Sequence, residues 1–437
     1  MTGICCTMNR TRLVVLAFVP AIALAAGLVP KVGKTVPVLL PADGASPDDA
    51  CNSPSISGGG RTVAFATAAA NLVPGDSDGV VDIALVSLRK GVARCVSIST
   101  AGVKGNASSA DPALDRTGRR VAFSSVATNL VEGDANGERD VFVRDLVKQT
   151  TVRVSVATDG AEADGASEKP SFSGNGRLVA FASHATNLVP DDMNGFQNIF
   201  LHDLVTGETR RVSLGLLGVD PDGDSSLPRI SANGRYVAFL SLARNLIAQS
   251  DFPTRDAFVV DLKTGVTEMV SVGASGVPSN GGTFSVAISA NGRRVAFDSM
   301  GSNLITDAQQ FAGMDVFLRD RKKHTTTLMS AGPGGVAANE YSEEPDISGN
   351  GRWVAFTSLA SNLLPGDTNE RNDVFRRKMK TGELVRVSVS SLGVQGNSNS
   401  GQASLTRSGR FVAFATRATN LFDTVTSGEW LIALRRP

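Results

Sequence analysis

Hard oxygen donors recur at alternate positions in four segments of this 437-residue chain. The first is Asp76-x-Asp78-Gly79-x-x-Asp82. It is followed by Asp134-x-Asn136-Gly137-x-x-Asp140, Asp192-x-Asn194-Gly195-x-x-Asn198 and Asp367-x-Asn369-x-x-x-Asp373. Carboxylate and amide oxygens alternating around a glycine turn are the opening ligands of a calcium loop. The closing glutamate of a complete site is missing, so backbone carbonyls, water or a neighbouring loop would have to finish the shell. The same residues also build Asx turns, in which a side-chain oxygen takes a backbone N–H two residues on and shapes a long loop. Calcium binding and turn shaping are both open to these segments.

Other reactive chemistry is sparse. His184, His202 and His324 stand apart, and each is expected at the surface. No His-x-Glu or Cys-x-x-Cys spacing suggests zinc, and no Gly-x-Ser-x-Gly elbow suggests a hydrolase. Two Trp and two Tyr leave few platforms for stacking sugars. Lys plus Arg (43) nearly cancel Asp plus Glu (42), so no charged field steers the chain to nucleic acid or an anionic membrane. A catalytic centre is not expected.

The loops belong to a repeat. A Gly-Arg pair returns at Gly60, Gly118, Gly176, Gly234, Gly292, Gly351 and Gly409, every 58 residues with one interval of 59. Val-Ala-Phe follows each pair, ending at Phe65, Phe123, Phe181, Phe239, Phe297, Phe356 and Phe414. Asn-Leu follows in turn, at Asn71, Asn129, Asn187, Asn245, Asn303, Asn362 and Asn420; the amide is expected to bond loop backbone and the leucine to tuck between repeats.

Each repeat holds four short strand signals separated by turn residues. In the second repeat these are residues 111–114, 120–125, 140–146 and 151–156. Val152, Val154 and Val156 are expected on one half-buried face of the last strand. Seven four-stranded antiparallel units predict an all-β fold, a seven-bladed β-propeller, because a closed ring leaves only short edges. The last repeat holds three strands, and its fourth is supplied by Thr35-Val36-Pro37-Val38-Leu39-Leu40, which matches Thr151-Val152-Arg153-Val154-Ser155-Val156. Pro37 suits an outermost strand, where one ladder face is open.

The pattern Pro-x-x-Ser-x-x-Gly-Arg-x-Val-Ala-Phe, then Asp-Val-Phe-x-x-Asp-Leu, then Thr-Gly-x-Thr resembles the WD-like propeller repeats of the TolB type. It is clearest at residues 170–181, 198–204 and 206–209. The chain lacks the Gly-His and Trp-Asp dipeptides of cytoplasmic WD repeats, and residues 26–33 are too few for the extra N-terminal domain of TolB-type proteins. The resemblance implies the fold and a binding role outside the cytoplasm.

Residues 1–25 read as a signal peptide. Arg10 and Arg12 precede an apolar run at residues 13–24, and Ala23-Leu24-Ala25 fits a cleavage site. The competing reading is an uncleaved anchor. Residues 26–437 then form one propeller. Its blades span 53–99, 111–157, 169–215, 227–273, 285–332, 344–390 and 402–437, with 34–41 as the outer strand of the last. Secretion or a periplasmic location follows, with no membrane span in the mature chain, and a monomer is expected. Export to an oxidising compartment permits a Cys51–Cys95 disulfide, against two free packed thiols.

Long second-to-third-strand loops and blade-to-blade loops emerge on one face. The leading expectation is a non-catalytic scaffold that binds a protein or small ligand there. The alternative is a propeller lyase or glycan hydrolase using carboxylates at the channel mouth. Asp111, Lys169, Glu344 and Gln402, near the starts of first strands, could reach that mouth.

Overall fold

The computed structural model describes residues 29–41, 44, 46–73, 75–248, 254–305, 313–425 and 428–437. The signal-peptide segment, residues 1–25, and the Ala42-Asp43 pair lie outside the described residues. Seven four-stranded antiparallel sheets make the fold. In blade 1 the strands run Cys51–Ile56, Thr62–Thr67, Asp82–Ser87 and Val92–Cys95, and the other blades repeat this order. First strands of successive blades touch one another all the way round, so they wall a central channel.

The ring closes as the two ends of the sequence require. Thr35–Pro37 pairs antiparallel with Leu431–Arg435, with Thr35 opposite Arg435, Val36 opposite Leu434 and Pro37 opposite Ala433. Arg435 donates through Nη1 to Thr35 Oγ1 (2.5 Å) and to Ser390 O (3.1 Å). Thr35 Oγ1 donates to Val389 O at 2.6 Å, the bond that Thr151 makes to Ile98 O in blade 2. The N-terminal strand therefore reproduces an ordinary outer strand down to its contact with the preceding blade.

Blades adhere through their faces. The Val-Ala-Phe phenylalanines are almost wholly buried. In blades 2 to 6 each stacks on a third-strand phenylalanine, as Phe123 does on Phe142 at 5.8 Å between centroids. Such pairs add roughly 0.5–1.5 kcal/mol each beyond burial. The turn glycines have a second reason besides their left-handed backbone (φ +71 at Gly292). A Cβ on Gly292 would lie 2.0 Å from Tyr236 of the preceding blade.

The Asn-Leu pairs do what their positions suggested. Asn129 accepts from Asn106 N (2.9 Å) and donates to Lys104 O (2.8 Å), and the other six asparagines bond the blade-to-blade loop in the same way. The following leucines are buried.

Several local expectations change. The first strand of blade 2 is Ser109–Leu114, beginning two residues before 111, because a register shift between Ala110 and Ala113 accommodates a bulge. The outer strand, Thr150–Arg153, ends early, and Val152 is 43% exposed while Val154 is buried. Cys51 opens an inner strand, Cys95 closes the outer strand of the same sheet, and both are free thiols. Three strand spacings, roughly 14 Å, separate them, beyond the reach of a disulfide. His202 is buried rather than superficial, with Nδ1 2.8 Å from Thr209 Oγ1. Among the described residues no helix is long and apolar enough to cross a membrane.

Candidate functional site: the acidic loops and the central channel

The structure gathers the oxygens of the acidic loops and supplies each group with a cation from the chain itself. In blade 1, Lys104 Nζ lies 2.5 Å from Asp76, 2.6 Å from Asp78 and 2.7 Å from Asp82. In blade 2, Arg153 pairs with Asp134, Asp140 and Glu162. In blade 3, Arg211 pairs with Asp192 and Asp220, while Asn198 donates to Asp192 and Asn194. In blade 6, Arg386 pairs with Asp367 and Asp373, and Gln395 donates to both. Asn136, Asn194 and Asn369 also accept a backbone N–H two residues on, the Asx geometry.

Sequence reasoning missed these cations, although a signal existed. The outer-strand position of Arg153, Arg211 and Arg386 is Met269 in blade 4 and Leu328 in blade 5, where the acidic loop pattern is absent. Charge and countercharge vary together from blade to blade.

The last acid of each loop has a further task. A serine two residues past the end of the outer strand donates to Asp82, Asp140, Asn198, Asp256, Asp315 or Asp373 at 2.5–3.0 Å, tying the third strand to the segment that follows the fourth in six blades. Among the described residues no cation pairs with Asp315, whose side-chain partner is the Ser330 hydroxyl. Burial pushes Asp315 up to about 6 against the hydrogen bond from Ser330. A carboxyl whose folded pKa is raised binds protons more readily folded than unfolded, so stability falls as pH rises from about 4 through about 6. Asn198 shows that an amide serves at this position. Asp315→Asn is therefore expected to stabilise the protein at pH 7 by roughly 1–3 kcal/mol and to change nothing below about pH 4. Thermal melts across that range check both halves.

The channel encloses a cavity of about 630 Å³. Its wall carries a repeated backbone irregularity. Ser53, Asp111, Lys169, Leu227, Glu344 and Gln402 occupy the same inner-strand position in six blades and hold φ between 51 and 54. Left-handed backbone costs a non-glycine residue roughly 1–2 kcal/mol. In five of these blades proline follows, and a bulge tolerates its missing N–H. The four polar residues expected at the mouth, Asp111, Lys169, Glu344 and Gln402, all line this cavity.

Side chains at the bulge reach round the ring. Gln402 Oε1 accepts from Ser53 N (2.7 Å), Glu344 Oε2 from Gln402 N (2.9 Å) and Asp298 Oδ2 from Glu344 N (3.1 Å). On the opposite arc, Lys169 pairs with Asp111 at 2.7 Å. Blade 4 offers only Leu227 at this level. One level along the same strands stand Ser55, Ala113, Ser171, Arg229, Ala287, Asp346 and Ser404, the next positions of the same register. Ser55, Ser171 and Ser404 each accept the amide N–H of the next blade, from Leu114, Ile230 and Ile56. Asp346 does the same for Leu405 (2.6 Å) and also accepts from Ile347 (2.8 Å). Burial raises Asp346 to about 6, with those N–H groups and Arg229 pulling the other way. Burial likewise raises Glu343, helped by Glu344 and Asp298.

Fold and wall together define a seven-bladed β-propeller with a polar, charge-bearing channel. No protein-family model matches the chain. A curated relative, dipeptidyl-peptidase 5 of Porphyromonas gingivalis, is 30% identical over 95 residues, 22% of this chain; the match spans only 13% of that enzyme's length. Oligogalacturonate lyase of Vibrio parahaemolyticus superposes with a TM-score of 0.54 at 13% identity, covering 94% of this chain and 95% of the lyase. TolB of Acinetobacter baumannii matches at a TM-score of 0.39 and 14% identity, over 70% of this chain and 61% of TolB. At these identities the likeness is one of fold.

Proposed function

We propose that this chain is an exported, non-catalytic binding propeller that captures its ligand at the central channel, entered from the face carrying the Asp/Asn loops. One observation carries the reading. Six blades spend left-handed backbone on the same wall position, yet fill it with Ser, Asp, Lys, Leu, Glu and Gln. A purely architectural bulge has no need of six different side chains, and strained positions with individual side chains gather at functional sites. The signal-like N-terminus supports export.

Ser53→Trp tests the channel. It keeps the backbone N–H that Gln402 accepts and fills the mouth with an indole. A small-molecule extract that raises the Tm of the wild type is expected to leave Ser53→Trp unmoved. Equal protection of both would place binding elsewhere.

The enzymatic alternative, a lyase or glycan hydrolase, draws on Asp346, a channel carboxyl titrating near 6, where a general acid or base works. Both its oxygens accept backbone N–H groups, which leaves it poorly free to move a proton. Turnover of a polysaccharide that disappears in Asp346→Ser would favour this second reading.

A further inference from the structure

The wall of the channel departs from its sevenfold repetition most sharply at Arg229. This side chain lines the cavity and stays in contact with lumen solvent. Among the described residues no carboxylate lies within ion-pair distance of it. The polar chain that circles the bulge level is open at the same blade, where Leu227 stands. Asp346 lies on the same level two blades away, and Ala287, with no side chain beyond Cβ, is the only position between them. Asp346 does not swing across to meet the guanidinium, because its two oxygens are pinned by the N–H groups of Leu405 and Ile347. Glu343 lines the cavity on the Asp346 side. The lumen thus presents an unpaired cation and a pinned carboxylate across a gap that the protein does not close.

Architecture does not demand these charges. Serine makes the same blade-to-blade bond as Asp346 in three blades, and alanine fills the place of Arg229 in two. A guanidinium left unpaired in an enclosed space is matched by a ligand carboxylate, which it binds through two parallel N–H bonds. A carboxylate held in place by two backbone N–H groups, as Asp346 is, is matched by an ammonium group. A cavity of about 630 Å³ accommodates a small organic molecule.

Resting on the channel-binding reading, we propose that the ligand is a small zwitterion of the amino-acid or short-peptide class, its carboxylate on Arg229 and its ammonium group facing Asp346 and Glu343. The probe is glycylglycine, titrated calorimetrically against the full chain, with acetate and methylammonium as single-charge controls. Glycylglycine is expected to bind, and each control to bind at least tenfold more weakly. Arg229→Ala and Asp346→Ser use residues that other blades already carry at this level, so both should fold with wild-type melting cooperativity. Each is expected to lower glycylglycine affinity tenfold or more, the loss of one charge contact. Unchanged affinity in either variant, or acetate binding as tightly as the dipeptide, overturns the assignment. If glycylglycine fails while the extract still protects the wild type and not Ser53→Trp, the ligand class falls and the channel reading stands.

Discussion

Removing residues 29–41 should open the ring. Val38 is fully buried, Thr35 is 4% exposed, and Val36 and Leu39 pack on the core between blades 7 and 1. The segment also holds the C-terminal strand through ladder bonds and through Val38 N to Ile432 O at 2.8 Å. Burial of two to three aliphatic side chains and several backbone hydrogen bonds, less the entropy of ordering the segment, leaves a net loss on the order of 3–5 kcal/mol. For a chain of this size that is a fall of roughly 5 °C in Tm. The exposed edge of Leu431–Arg435 should also template self-association, because an unpaired strand edge offers a row of free N–H and C=O groups. Adding the 29–41 peptide in trans should restore the Tm and dissolve the oligomers. A truncated chain that stays monomeric and melts with the full one would mean that the ring does not depend on this strand.

The second large effect concerns the countercharges of the acidic loops. The Arg153 side chain is 9% exposed and faces Asp134 and Asp140, which are 4% and 0% exposed. Asp134 is already pushed up to about 6 by burial and then by Asp140, with Arg153 opposing. Arg153→Met keeps the aliphatic bulk and strands those carboxylates without a partner. Breaking a buried pair on one side typically costs about 3–5 kcal/mol. The loss should be largest near neutral pH and shrink on acidification, since protonating Asp134 and Asp140 removes the uncompensated charge. The wild-type Tm is expected to ignore both calcium and chelator, because side-chain nitrogens already occupy the position a cation would take. A calcium-dependent rise in the wild type would overturn this account and return the loops to the metal-binding reading. The ligand atoms of Asp134, Asp140 and Glu162 lie within 4.8 Å of one another, so in Arg153→Met calcium should recover part of the lost stability.

Repetition made the architecture readable from the chain. Strand and turn signals are local: alternation of apolar residues, Gly at a left-handed turn, and Asn-Leu at a fixed offset each act within about ten residues of themselves, and seven copies average out the noise. The match between Thr35 and Thr151 disclosed the ring closure for the same reason, since both threonines solve the same local problem of bonding the preceding blade. The Asn-Leu pairs found their expected places because each repeat offers them the same surroundings.

What the repeat could not reveal is everything in which blades differ. Lys104 reaches its three aspartates from a loop some 25 residues on, while Arg153 reaches its own from the neighbouring strand, and only folded geometry shows that the two solve one electrostatic problem. The bulge that turns Asp111, Lys169 and Glu344 into the channel is a backbone event with no composition of its own beyond a following proline. Cys51 and Cys95, separated by 43 residues within one blade, end on opposite sides of a sheet, a distance set by strand order. Arg229 and Asp346 are 117 residues apart and become neighbours across a lumen only because the ring closes. Sequence determines the unit through short-range sterics and burial; the unpaired charges in the channel exist only once seven non-identical units face a common axis.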